Sequence, residues 1–162
     1  MAIKLTIILA STFVMSGCMD SMHGNQANQF QGAKFNSEGE RLYFTGVSSS
    51  GDRMIPISGH HHMQMHGGSC VTCHGADKEG GTRMWPRFWV VAPALTFDAL
   101  SKEHNDGHAH ASYDEVALRD AIVMGINPGG EKLHETMPKW KMSDKSLEAL
   151  VHYLLDDATH SH

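Results

Sequence analysis

Two thiols and an imidazole stand within five residues at Cys70-Val71-Thr72-Cys73-His74. About one helical turn separates the cysteines, so both sulfurs can meet the two vinyl groups along one haem edge and form thioethers. His74 then lies beneath the iron and can supply a ring nitrogen as an axial ligand. A bare CxxC would serve equally as a redox dithiol or as half of a zinc site. The adjoining His and the lack of a second CxxC favour covalently held haem over both.

A second stretch, His60-His61-His62-Met63-Gln64-Met65-His66, mixes imidazole with thioether. That mixture suits copper, Met for Cu(I) and His for either state. The competing reading is a solvated loop, or a Met pair packed near the haem, since no helical or strand spacing organises these ligands. His104 to His110 is a further polar, histidine-rich loop that could share a metal with the first cluster.

The chain must deliver the haem motif to a compartment where haem is attached, which lies outside the cytoplasmic membrane. Residues 1–17 read as an export signal: Lys4 gives a positive start, and Leu5 to Met15 is an apolar run of eleven residues. That run falls short of the ~20 residues a membrane-spanning helix needs. Met15-Ser16-Gly17-Cys18 resembles the lipobox of bacterial lipoproteins, in which cleavage before the Cys accompanies its lipidation; plain secretion and a short uncleaved anchor are the other readings. Lipid on Cys18 would account for the odd member of three cysteines once Cys70 and Cys73 hold haem. Residues 18–37 are polar and rich in Gln, Asn, Gly and Ser, and read as a flexible tether. The folded domain is expected over 38–158, with 159–162 a frayed tail.

The full chain of 162 residues carries a formal charge of −5. Without its first seventeen residues it holds twelve basic and eighteen acidic residues, a net of −6. This balance argues against nucleic acid as a charge-driven partner and favours redox partner proteins with a basic docking surface. The membrane would be reached through the N-terminal lipid rather than by charge.

Several elements must position the motif. Gly39 to Phe44 opens the domain with apolar bulk from Leu42, Tyr43 and Phe44. A turn-rich insertion from Val47 to Ser69 follows, within which Met54-Ile55-Pro56-Ile57 reads as a short extended piece, in a loop or small hairpin. Trp85, Phe88 and Trp89 could line the haem pocket or pack in the core. Ser112-Tyr113-Asp114-Glu115 has capping-box form, which predicts a helix from Tyr113 to Met124 with Val116, Leu118, Ala121 and Ile122 on one face. Gly125 ends it, and Asn127-Pro128-Gly129-Gly130 turns the chain. Ser143 caps a last helix whose Leu147, Leu150, Val151 and Leu154 form one apolar stripe.

Taken in order, Cys70 to His74, Pro93-Ala94-Leu95, Met137-Pro138 and the terminal amphipathic helix resemble a class I, monohaem c-type cytochrome in bacterial lipoprotein form. The resemblance covers roughly Gly39 to Asp157. It implies an all-α, cytochrome c-like fold of about three to five helices around one covalent haem c; the loop-rich insertion from Val47 to Ser69 before the motif and the histidine clusters depart from the compact family pattern. It also implies that Met137 binds the iron opposite His74, and that the Pro93 carbonyl accepts the Nδ1–H of His74. The bland reading of Pro93 is a plain loop proline. On the residues alone Met142, Met63, Met65, Met84 or a histidine competes for the sixth position.

If both axial positions are filled by protein, no site remains for substrate, and the expected function is one-electron transfer rather than enzyme catalysis. The alternatives are a copper-handling haem protein that uses the His/Met-rich loops, and a haem sensor with a labile sixth ligand.

Overall fold

A computed structural model describes residues 30, 32–59, 61–102 and 111–156. The export signal, Cys18 and most of the expected tether lie outside these residues. So do His60, the histidine-rich stretch at 103–110, residues 157–158 at the end of the expected domain, the expected tail at 159–162, and the side chains of His62 and His66.

Six helices and only one small sheet occur among the described residues, which bears out the expected all-α class; three of the helices are six residues or shorter. In chain order they are α1 (Glu38–Thr45), α2 (His61–His66), α3 (Val71–His74), α4 (Phe97–Ser101), α5 (Glu115–Val123) and α6 (Asp144–Leu155). Two short strands, β1 (Ile55–Pro56) and β2 (Trp140–Lys141), form the single sheet described.

The two end helices build the core. The Ser37 hydroxyl accepts the Glu40 N–H at 3.0 Å and starts α1. The Ser143 hydroxyl accepts the Ser146 N–H at 3.2 Å and starts α6. The stripe Leu147, Leu150, Val151 and Leu154 is buried, as its spacing predicts. It meets Leu42 and Tyr43 of α1, with Met54, Leu100, Leu118, Ile122 and Trp140 completing the core. Each fully buried Leu here contributes about 1.5–3 kcal/mol. α1 crosses α6 at Gly39, where the backbones nearly touch: a Cβ built on Gly39 would lie 2.1 Å from the Ala149 carbonyl oxygen.

Three local expectations need correction. α5 begins at Glu115, not Tyr113, and its N-cap is Asp114, whose carboxylate accepts the Ala117 N–H at 2.7 Å. Asp caps as well as Ser, and the Tyr113 N–H donates instead to the Leu100 carbonyl at 2.8 Å. The register of the buried face shifts with it: Leu118, Ala121 and Ile122 are buried, but Val116 is 66% exposed. Asp114→Ala should therefore cost about 1 kcal/mol of stability in denaturant unfolding, and Ser112→Ala close to nothing. The reverse ranking would restore the earlier start.

The second correction is the histidine-rich stretch, of which His61–His66 wind into α2 rather than lying in a loop without spacing. The third is the insertion. Its start closes as a small local hairpin, with Val47 bridged to Arg53 and the Met54 N–H donating to the Gly46 carbonyl at 2.8 Å, but the extended piece then pairs far along the chain. β1 runs antiparallel to β2, with Ile55 opposite Lys141 and Pro56 opposite Trp140. The Ile57 N–H also donates to the Lys139 carbonyl at 2.8 Å, and the Lys139 N–H to the Ser58 hydroxyl at 2.8 Å. The insertion thereby fastens the segment just after Met137-Pro138.

Candidate haem site

Cys70 to His74 forms one tight turn, in which the His74 N–H donates to the Cys70 carbonyl at 3.0 Å. The turn docks on α1 through the wholly buried Tyr43, whose hydroxyl donates to the Gly75 carbonyl at 2.7 Å. This bond was not expected from sequence; an aromatic 32 residues before its acceptor leaves no spacing signal.

Both cysteines are half-buried, and Cys70 packs against the core. Burial pushes the Cys70 thiol up to about 12, with the neighbouring Cys73 adding to the shift. Burial raises the Cys73 thiol as well. A redox dithiol works as a thiolate and needs the opposite shift, so this environment does not suit thioredoxin-like exchange. It does suit neutral sulfur in thioether linkage.

His74 is 5% exposed, and its Nδ1 lies 2.8 Å from the Pro93 carbonyl oxygen. Burial pulls its pKa below the usual imidazole range, and the bond to Pro93 partly restores it. A neutral ring that donates from Nδ1 presents the Nε2 lone pair, the form a metal requires.

The methionines fall in different surroundings. Met137 is half-buried and packs against the core, its N–H donating to the His134 carbonyl at 2.9 Å. Pro138 beside it is buried, and Thr136 before it is buried with its hydroxyl 3.0 Å from His134 Nδ1. Met142 lines a surface groove with Trp140, Arg119 and Leu147. Met63 is half-buried next to Gly68, Met84 is buried, and Met65 is largely exposed.

Trp85, Phe88 and Trp89 are exposed by 71%, 54% and 75%, which removes the core-packing reading for them. They cap a hairpin-like excursion whose base is tied by the Ala92 N–H to the Thr82 carbonyl at 2.9 Å. Arg87 in this excursion pairs with Glu135, two residues before Met137. Among the described residues no group of three or more His, Cys, Asp or Glu could hold a metal ion. His61 is exposed in α2; the rest of the candidate copper set is His60, His62 and His66, outside the described side chains, with Met63 and Met65 as above.

The donor set fits haem. Two neutral sulfurs on one turn would hold the porphyrin edge, and the anchored imidazole that follows would bind iron. The family model described as cytochrome c matches residues 59–156, more than half of the chain. Curated proteins and solved structures contribute no significant match. The chain therefore belongs to the cytochrome c family and carries covalent haem c, with Cys70, Cys73 and His74 as its CxxCH motif.

Proposed function

We propose that this protein is a one-electron carrier with His74 and Met137 as axial ligands, held at the outer face of a bacterial membrane by lipid on Cys18. The family supplies the coarser statement, haem-based electron transfer with redox partners. The observation that carries the finer one is the buried His74 ring, oriented by its 2.8 Å bond to Pro93. That bond fixes the ring and raises its basicity as a ligand. The Met137 segment is a fitting second side, because its neighbours are tied down by β1 and Ser58. A thioether is soft and uncharged, so it favours Fe(II) and a high potential. When bound, the haem supplies the one-electron couple; the protein holds it rigidly so that little rearrangement accompanies the change of charge.

The test is the visible spectrum of the oxidised holoprotein, which should show the weak red band of thioether-ligated ferric iron. A wild-type spectrum without it would remove the His/Met assignment. The anchor is tested separately: Cys18→Ser should move the protein from the membrane pellet to the soluble fraction and abolish fatty-acid labelling. Equal fractionation of the two forms would discard the lipid. A net charge of −6 after removal of residues 1–17 supports a basic partner surface.

A further inference from the structure

We infer that Gly80 is a positioning residue for His74, holding the Pro93 carbonyl at hydrogen-bonding distance and so setting the reduction potential. This rests on His74 being the haem ligand. The turn from Gly75 to Gly81 lies between the haem-attachment turn and the Pro93 segment and is bonded to both. The Gly80 N–H donates to the His74 carbonyl at 2.9 Å, and the Gly81 N–H to the Ala92 carbonyl at 2.9 Å. The Leu95 N–H donates to the Lys78 carbonyl at 2.7 Å.

At Gly80 the two strands of chain are in contact. A Cβ there would lie 2.5 Å from the Ala92 oxygen, 2.5 Å from the Pro93 oxygen and 2.6 Å from the Pro93 carbonyl carbon. All three are backbone atoms, so no side-chain rotation could relieve the clash. The bare face of Gly80 is the wall against which the acceptor of the His74 proton rests. The turn is itself immobilised on the helices. Lys78, 4% exposed, holds its ammonium 4.5 Å above the Tyr153 ring of α6, and Gly75 accepts the Tyr43 hydroxyl of α1. The proline ring, by contrast, is exposed.

Moving Pro93 away would lengthen the bond to Nδ1 and make the imidazole less basic. The oxidised iron would lose electron donation, so the potential should rise. Gly81 supplies the control. Both glycines have positive φ, +70° and +84°, so Ala is strained at either, but nothing lies within 4 Å of a Cβ on Gly81.

The experiment titrates the haem-loaded wild type, Gly80→Ala and Gly81→Ala, and follows the His74 Nδ1–H resonance in the reduced proteins by NMR. Gly80→Ala should change the reduction equilibrium about tenfold, about 59 mV upward for one electron, with the resonance moved upfield. Gly81→Ala should keep both close to wild type. Equal shifts in the two variants, or none in Gly80→Ala, would overturn the inference. Pro93→Ala tests it without altering Gly80: the carbonyl remains, so the potential should hold, and a tenfold change would assign the positioning to the ring instead. A wild-type protein lacking histidine ligation would count against the proposed function, whereas a normal wild type with indifferent variants counts against Gly80 alone.

Discussion

Met137→Leu is expected to abolish the weak red band of the oxidised protein and to lower its potential by a substantial part of the roughly 0.8 V that axial ligands span. The substitution keeps volume and apolar character, so the cost in packing should stay below about 1.5 kcal/mol. That matters because Met137 also touches the core, and truncation to Ala would mix lost ligation with lost packing. The direction follows from the sulfur. A thioether accepts electron density from Fe(II) and does little for Fe(III), so its loss favours oxidation. With the sixth position open, the reduced variant should also bind carbon monoxide rapidly, which the wild type should not. Met142→Leu is the matched control. Met142 faces the groove beside Arg119 and Trp140, and its replacement should leave band and potential in place. If Met142→Leu loses the band while Met137→Leu keeps it, the ligand assignment moves five residues along the chain.

Gly39→Ala is expected to destabilise the holoprotein by about 2 kcal/mol and lower its Tm by roughly 10 °C. Two effects compete. In an exposed helix the change would help by up to ~1 kcal/mol, since Gly is the poorer helix former. Here the added carbon would lie 2.1 Å from the Ala149 oxygen and 2.4 Å from the Tyr153 Cβ, so α1 and α6 must separate. Separation loosens Leu42 and Tyr43 from Leu150 and Leu154, all close to fully buried, and overpacking of this kind typically costs 1–3 kcal/mol, roughly. The clash outweighs the propensity. Gly129→Ala has only a 3.3 Å contact to the Asn127 side-chain oxygen and should change stability by less than about 0.5 kcal/mol. A Gly39→Ala protein as stable as wild type in guanidinium would mean the crossing has room that the geometry denies.

What was legible in advance was local. The attachment motif is contained within one turn, and the stripe of α6 within one helix, so residue type and spacing suffice for each. The Ser143 cap is likewise a short-range bond. The family resemblance, rather than any spacing, pointed to Pro93, and the structure sets its carbonyl 2.8 Å from a ring 19 residues earlier. The start of α5 differs from the expected one because Ser112 and Asp114 are both competent caps, and only the tertiary bond from Tyr113 to Leu100 selects between them. Short α4 escaped notice because five residues are too few to show a helical period.

Tertiary structure alone decided the rest. The insertion before the haem motif finds its partner beyond Met137, through a two-residue ladder that includes a proline. So short a strand has no alternation to detect, and its partner lies far along the chain. The exposure of Trp85, Phe88 and Trp89 is equally invisible in composition. Gly39 and Gly80 matter because distant backbones approach them, and a residue without a side chain carries no mark of what it touches. The sequence by itself named the groups that hold haem; the contacts between backbones far apart in the chain decided how firmly and in what orientation those groups are held.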